Sequence, residues 1–121
     1  MEFLFKGTDF PISGAVITSG RLLETVLTGI PDDSKTPVPG GIAAETREIF
    51  KQLDEVLTAA GVDKTTIASA RLYLQHVNRD IAEVNVIWKE YFGTHAPVRR
   101  AYGVDLQAGM LIEAAFVAEL P

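Results

Sequence analysis

Cysteine is absent from the 121 residues of this sequence. Its absence excludes disulfide bonds, thiolate catalysis and cysteine-ligated metal sites. The sequence also lacks any stretch of roughly 20 apolar residues, the length that a helix needs to cross a bilayer. The N-terminal segment MEFLFKGTDFP carries acidic residues beside its short apolar part and has no cleavage-like end, so it does not resemble a signal peptide. We therefore expect a protein of the cytoplasm with no membrane partner.

Positive charge is also scarce. Eleven Lys and Arg residues stand against sixteen Asp and Glu residues, which gives a formal net charge of −5, and the longest basic cluster is the pair Arg99 and Arg100. General nucleic-acid binding depends on a Lys/Arg footprint, so nucleic acid is not an expected partner. No Ser–His–Asp arrangement, phosphate-binding loop or metal-ligand spacing is present. The two histidines, His76 and His95, are predicted to be solvated loop residues, and no metal site is predicted.

Nothing in the chain marks a domain boundary. The sequence shows no internal repeat, no low-complexity tract and no interdomain linker. Hydrophobic residues make up 47% and charged residues 22% of the total, which is typical of globular proteins. A chain of this length buries a core of its own, so a single domain spanning residues 1–121 is predicted.

The spacing of apolar residues predicts the order of helices and strands. Alternating runs bounded by turn residues indicate strands, and apolar residues at three- and four-residue steps indicate helices. The predicted elements are strands at 15–18 and 22–28, a helix at 42–60, a strand at 67–75, a helix at 80–92, and strands at 101–106 and 111–120, with a further strand at 2–6 left open. Asp80 and Glu83 form a capping-box-like pair that places the start of the second helix at Asp80. Strands at both ends of the chain predict an α+β fold, a sheet covered on one face by two helices.

The last predicted strand has apolar residues on both of its faces. Its even positions, from Ile112 to Leu120, form a core face. Its odd positions include Ala115 and Val117 as well as Glu113. Two helices cover only one face of the sheet, so another copy of the same protein is the simplest cover for the second face. The alternative is that Ala115 and Val117 are scattered exposed apolar residues, which are common.

Two polar residues are predicted in apolar surroundings. Asn85 falls within the apolar stripe of the second helix, and a buried amide costs free energy unless its donors and acceptors find partners. Glu113 lies within the last strand, where a carboxylate is paired, is solvated in a cleft or has a raised pKa. Both are therefore candidates for a functional site. The alternatives are a structural amide that ties down a loop, for Asn85, and an ion pair across a subunit contact, for Glu113.

The segment HAPVRRAYGV places two adjacent arginines at a predicted strand. Neighbouring side chains on a strand point to opposite faces, so Arg99 and Arg100 cannot have the same role. A guanidinium offers a rigid fork of donors that binds a carboxylate bidentately. That carboxylate is either Glu113 or a small-molecule acid, in which case Glu113 is left for chemistry. The residues alone thus predict an oligomeric α+β domain with an anion site.

Seven segments stand in a characteristic order and spacing between about residue 11 and residue 120. They are PISGAV at 11–16, GIP at 29–31, IAAETREIFKQLDEVLTAAG in the first helix, ARLYL in the following strand, VNVIWKEYFG at 84–93, PVRRAYGV at 97–104 and LQAGMLIEAAF at 106–116. Together they resemble the Rid family, the reactive intermediate deaminases that are also called YjgF-type proteins.

The resemblance implies both a fold and an activity. The implied fold is chorismate-mutase-like α+β, a mostly antiparallel sheet with two helices on one face. Three chains assemble as a homotrimer with a central barrel, and the ligand sites lie in clefts between subunits. The implied activity is the hydrolysis of enamines and imines such as 2-aminoacrylate to a 2-keto acid and ammonia. No cofactor is implied.

The resemblance also implies a set of site residues. Arg99 matches the arginine that binds the substrate carboxylate, and Glu113 matches the glutamate that positions or deprotonates the attacking water. Asn85 matches an asparagine expected to support the site loops. The backbone near Gly29 and Ile30 is expected to line the cleft. Arg100 is expected to point the other way and to have at most a supporting role.

Three positions depart from the family pattern. Ile12 stands where the family has a tyrosine that packs on the substrate, Thr28 stands where it has a glycine, and Arg100 stands where it has serine or threonine. The following strand is also one residue shorter before Leu106, so the anion-binding arginine is Arg99 or Arg100 depending on where that gap falls. These departures leave open a different or more acidic substrate.

Three functions are compatible with the resemblance. The first is the imine and enamine deaminase. The second is a catalytically silent trimer that binds small carboxylates and has a regulatory role. The third, an endoribonuclease or translation inhibitor, is a description that some relatives carry, and the net charge of −5 disfavours it.

Overall fold

Six strands form one sheet, and two helices lie across it, in a computed structural model that describes all of residues 1–121. The elements are β1 (Glu2–Lys6), β2 (Ser13–Thr18), β3 (Leu22–Thr28), α1 (Gly41–Ala59), β4 (Ile67–Leu74), α2 (Val77–Phe92), β5 (Val98–Gly103) and β6 (Ile112–Glu119), with a short 3-10 turn at Lys64–Thr66. The predicted α+β fold is confirmed, including the N-terminal strand that the sequence left open. No helix has the length and apolar character needed to span a membrane.

The sheet order is β1-β2-β3-β6-β4-β5, and β4 and β5 are its only parallel pair. Parallel neighbours need a crossover connection, which α2 supplies. β6 therefore lies between β3 and β4, near the middle of the sheet, while β5 is an edge strand. This placement determines where the predicted site residues stand, because Glu113 belongs to β6 and Arg99 to β5.

The hydrophobic core lies between the helices and one face of the sheet. The apolar stripe of α1 recurs at three- and four-residue steps and includes Ile49, Leu53 and Leu57, all essentially inaccessible to solvent. These side chains pack in one cluster with the even-numbered residues of β6, among them Ile112 and Phe116. The helix ends as the sequence predicts, because Gly61 adopts a φ of 76° that favours glycine.

The opposite face of the sheet has no cover within the chain. In β6 the odd-numbered Glu113, Ala115 and Val117 are half-buried, while their even-numbered neighbours are buried. Val26, beside Ala115 on β3, exposes 57% of its surface. The predicted two-sided character of the last strand is thus confirmed. A second copy as the cover of this face, which we call the open face, stays a prediction.

Three local predictions were wrong. α2 begins at Val77 rather than at Asp80, because Asp80 is buried and accepts two hydrogen bonds from Arg79 instead of capping the helix. β5 begins three residues earlier than predicted, since its pairing with β4 already starts at Val98. His95 is not a solvated loop residue: it is half-buried, and its Nε2 lies 2.7 Å from the carbonyl oxygen of Ile67.

Candidate functional site

Arg99 lies on the helix-covered face of the sheet. It stands beside buried Ala70 in the parallel ladder, and side chains of paired residues point to the same face. Its guanidinium carbon lies 4.8 Å from the centroid of the Trp88 ring in α2. Burial lowers the pKa of Arg99, because desolvation disfavours a charged group. Arg99 takes part in none of the three ion pairs of the chain, which are Arg21–Glu119, Arg47–Glu90 and Arg79–Asp80.

Arg100 points to the open face, as the alternation of a strand requires. It stands beside Arg71 in the ladder, and both side chains are exposed. Two arginines side by side do not neutralise each other, and no ion pair within the chain compensates them. Within one chain Arg100 therefore adds no second cation to the surroundings of Arg99.

Glu113 also belongs to the open face. It stands between Thr28 of β3 and Tyr73 of β4 in the antiparallel ladders. The Tyr73 ring stacks on that of Tyr102, with the two centroids 5.8 Å apart. Neither Arg99 nor Arg100 pairs with Glu113 within the chain.

Arg99 and Glu113 are far apart in one chain. The residue of β5 level with Glu113 is Tyr102, three positions from Arg99. Glu113 and Arg99 are separated by two strand spacings across the sheet and three residues along the strands, so their Cα atoms are about 14 Å apart. Their side chains also point to opposite faces of the sheet. One small ligand cannot contact both residues of the same chain.

The segment that follows β3 is held by internal hydrogen bonds. The Ile30 N–H donates to Thr28 Oγ1 at 3.3 Å, and the Ile30 carbonyl accepts from Gln52 Nε2 at 3.1 Å. The Gly29 carbonyl accepts from the Val38 N–H at 2.9 Å. Thr28, where the family pattern has a glycine, thus occupies the N–H of Ile30, whose backbone is predicted to line the cleft.

Glu45 is a buried carboxylate that the sequence analysis did not single out. Only 3% of its surface is exposed, and its Oε1 accepts a hydrogen bond from the Leu111 N–H at 2.9 Å. Burial raises its pKa, and the nearby Asp80 carboxylate raises it further. The sequence indicates this burial, because the three- and four-residue spacing places Glu45 on the same helix face as Ile42 and Ile49.

Gly29 is needed because Glu45 approaches the backbone closely. A Cβ built on Gly29 would lie 2.7 Å from the Cβ and Cγ atoms of Glu45, closer than carbon atoms pack. Glu45 therefore contacts both Gly29 and Leu111, two residues before Glu113. It joins α1 to the segments that carry two groups of predicted site residues.

Asn85 is exposed, so its prediction as a buried amide was wrong. The buried residues of α2 include Val84 and Ile87. Asn85 is turned by about 100° from Val84, because an α-helix has 3.6 residues per turn. It lies instead on the side of Trp88, one turn away, and its side chain makes no hydrogen bond within the chain.

Ile12 is 65% exposed and lies in the connection between β1 and β2. It lines a concavity of about 660 Å³ on the open face, together with Val16, Val26, Val117 and Arg71. The structure thus places the predicted site residues in three separate places: Arg99 with Trp88, Glu113 with the segment after β3, and Ile12 in this concavity. No group of His, Asp or Glu side chains is arranged to hold a metal ion.

Comparison with known proteins identifies close relatives. Residues 11–120 match the family model described as Endoribonuclease L-PSP. A human 2-iminobutanoate/2-iminopropanoate deaminase is 36% identical over 113 residues, which cover 93% of this chain and 82% of the human protein. A RutC family protein of Pyrococcus horikoshii is 36% identical over 92 residues, covering 74% of this chain and 72% of that protein.

Solved structures share the fold. A Rid family protein of unknown function from Yersinia pestis superposes with a TM-score of 0.83 at 31% identity. The match covers 91% of this chain and 88% of the Yersinia chain.

Proposed function

The chain belongs to the Endoribonuclease L-PSP family, which includes the Rid proteins, and we propose that it hydrolyses 2-imino acids, or the enamines that interconvert with them, to 2-oxo acids and ammonia. The human relative at 36% identity bears the name of such a deaminase. Both the substrate and the product of this reaction carry a carboxylate. A site that binds them needs a cation that is not already paired with an acidic side chain of the same chain.

Arg99 is the observation that carries the proposal. It is a half-buried guanidinium without an acidic partner in its own chain. Such a cation is costly unless a ligand or a partner subunit supplies the missing negative charge. A carboxylate fits it, since two parallel N–H donors of a guanidinium match the two carboxylate oxygens.

The proposed site is shared between subunits of a homotrimer. Arg99 and Glu113 point to opposite faces of the sheet, and Arg99 lies on the edge strand β5. A site that uses both residues needs Arg99 from one copy and Glu113 from another. The uncovered apolar part of the open face supports the same conclusion, because a second copy would remove Val26, Ala115 and Val117 from water.

The proposed reaction uses the chain's own groups. Arg99 holds the substrate carboxylate and thereby fixes the imine carbon, which is electrophilic once the nitrogen is protonated. Glu113 accepts a proton from a water molecule as its oxygen bonds to that carbon. Glu113 then passes this proton to the nitrogen of the tetrahedral adduct and accepts the proton of its new hydroxyl group, the C–N bond breaks, and ammonia leaves as the carbonyl forms. Water supplies the oxygen atom of the product, so the reaction requires no cofactor.

Three further positions have supporting roles in this proposal. The backbone at Gly29 and Ile30 lines the cleft beside Glu113, and Ile12 contributes an apolar contact. Asn85 supports the site from the α2 side, one helical turn from Trp88. Arg100 faces away from Arg99, and we assign it to the contact between subunits.

RNA is not the proposed substrate. The net charge of −5 opposes a polyanion. Arg99 and Arg100 also point to opposite faces of the sheet, so they do not form one basic patch.

The test is the release of 2-oxobutanoate and ammonia in a coupled reaction that generates 2-iminobutanoate. The wild type is expected to accelerate release, and Arg99→Ala is expected to abolish the acceleration. Arg47→Ala, which removes a surface ion pair with Glu90, serves as the matched arginine control and should retain activity. Arg100→Ala should lose less activity than Arg99→Ala. A folded wild type that binds 2-oxobutanoate without accelerating release would contradict the deaminase and favour a carboxylate-binding regulatory protein.

A further inference from the structure

Trp88 is the only tryptophan of the chain, and its indole is anchored by other aromatic rings. Its ring centroid lies 4.4 Å from that of Phe92 and 6.2 Å from that of Phe50. Phe92 and Phe50 belong to the buried core, whereas Trp88 is half-buried at its edge. One part of the indole is therefore fixed by the core, and another part remains available to Arg99.

The contact with Trp88 leaves the hydrogen-bonding groups of Arg99 available. A guanidinium over an aromatic ring is attracted by the negative face of the ring, and this attraction uses none of its N–H groups. Those N–H groups lie in the guanidinium plane and form the fork that binds a carboxylate. Since no acid of the chain pairs with Arg99, the indole is its main electrostatic partner.

We propose that Trp88 is a positioning residue, which holds the Arg99 guanidinium so that its N–H fork is presented to the carboxylate of the ligand. This inference rests on the proposed function for the identity of the ligand, a 2-oxo or 2-imino monocarboxylate. The indole also limits the movement of a long flexible side chain, so less conformational entropy remains to be lost on binding. The class of ligand is a monocarboxylate, because the N–H fork of one guanidinium matches the two oxygens of one carboxylate.

A purely structural role for Trp88 makes different predictions. If the indole only fills space at the edge of the core, an apolar side chain such as leucine would replace it at a cost in stability alone. If it positions Arg99, the loss of the ring weakens carboxylate binding even in a folded variant. Phenylalanine should then restore part of the binding, because its ring attracts a cation less strongly than indole does.

The experiment compares Trp88→Leu and Trp88→Phe with the wild type, using 2-oxobutanoate as the probe in calorimetric titrations. Tyr91→Leu is the matched control, because Tyr91 belongs to the same aromatic cluster and contacts Phe50 and Phe92 rather than Arg99. Trp88→Leu is expected to raise the dissociation constant about tenfold, a ratio between those of an exposed and of a fully desolvated cation–π contact, since Arg99 and Trp88 are both half-buried. Trp88→Phe should raise it less, and Tyr91→Leu should leave it unchanged. In turnover, Trp88→Leu should raise KM more than it lowers kcat.

The wild-type protein provides a second readout that does not depend on the folding of a variant. Because Trp88 is the sole tryptophan, binding of 2-oxobutanoate at Arg99 should change its fluorescence, and Arg99→Ala should abolish that change. Equal dissociation constants for Trp88→Leu and the wild type, or a wild-type emission that binding leaves unchanged, would overturn the role of Trp88. Binding with normal Trp88 dependence but no imine hydrolysis would refute the proposed function alone. A wild type that does not bind the probe would refute both.

Discussion

Arg99 and Glu113 belong to the same sheet but point to its opposite faces, with Arg99 on the edge strand and Glu113 near the middle. A monomer with this geometry has a cation and a carboxylate that cannot act on the same small molecule. Assembly of several copies would allow the two residues to act on one molecule, because the edge strand β5 of one copy can approach the β3–β6 region of another. The proposed catalysis by Arg99 and Glu113 therefore requires the oligomer.

Glu113→Gln is expected to separate binding from turnover. Glutamine keeps the size and polarity of the side chain but cannot accept the proton of the attacking water. Removal of a general base typically lowers kcat by about 10²–10⁴-fold. The dissociation constant for 2-oxobutanoate should stay at the wild-type value, as titration calorimetry would measure.

Light scattering must accompany that comparison, since Glu113 lies on the open face proposed as the contact between copies. A Glu113→Gln variant that keeps both its oligomeric state and its full turnover would show that the carboxylate is not the base. Loss of turnover together with dissociation would instead support an ion pair between subunits.

Glu45→Gln is expected to stabilise the protein increasingly as the pH rises. Burial and Asp80, itself paired with Arg79, raise the pKa of Glu45 in the folded state. Below its unfolded-state pKa the carboxyl is protonated in both states and adds no pH dependence. Above the unfolded-state pKa, Glu45 is ionised in the unfolded protein but still protonated in the folded one. The free energy of unfolding therefore falls as the pH rises, until the pH passes the raised pKa of the folded state. Glutamine avoids this loss and still accepts the Leu111 N–H bond.

Thermal melts at pH 5 and pH 8 would measure this effect. The difference in Tm between Glu45→Gln and the wild type should be larger at pH 8. Glu48→Gln, on the same helix and half-buried, is the control for removing one negative charge and should show a smaller pH dependence. A Tm difference for Glu45→Gln that does not change between pH 5 and pH 8 would contradict the raised pKa.

Gly29→Ala is expected to destabilise the protein because the new methyl group would meet Glu45 at 2.7 Å. Insertion of a methyl group into a well-packed site typically costs about 1–3 kcal/mol. Chemical denaturation would measure this loss. The double variant Gly29→Ala/Glu45→Gly should lose less than the two single variants together, since it removes both the Cβ and the Cγ atoms that the new methyl group would meet. Strict additivity would mean that Gly29 and Glu45 do not interact as the structure indicates.

The two faces of the sheet were predictable from the sequence because strand alternation is local. The odd and even positions of β6, from Ile112 to Glu119, separate the core face from the open face without any knowledge of neighbouring strands. The same alternation showed that Arg99 and Arg100 differ in role. Alternation did not predict which of the two arginines points towards the helices. The pairing of β5 with β4 shows that it is Arg99, which lies beside buried Ala70.

Predictions that depended on tertiary contacts failed. Asn85 was assigned to the apolar side of α2 from the spacing of its neighbours, but Ile87 occupies the buried position and leaves Asn85 exposed. Asp80 was assigned to a helix cap, but Arg79 pairs with it inside the helix. Helix spacing places Glu45 on the buried face of α1, but its partner, the Leu111 N–H, comes from a distant part of the chain and could not be predicted from that spacing.

Subunit complementation tests the shared site most directly. Co-expressed and co-purified Arg99→Ala and Glu113→Gln chains should form mixed trimers, and each chain alone should be inactive in 2-iminobutanoate hydrolysis. If Arg99 and Glu113 act across a contact, each mixed trimer regains about one active site in three, because one of its three contacts combines both intact residues. Activity near that fraction of the wild type is the predicted result. Mixed trimers as inactive as the two parent variants would contradict the shared site.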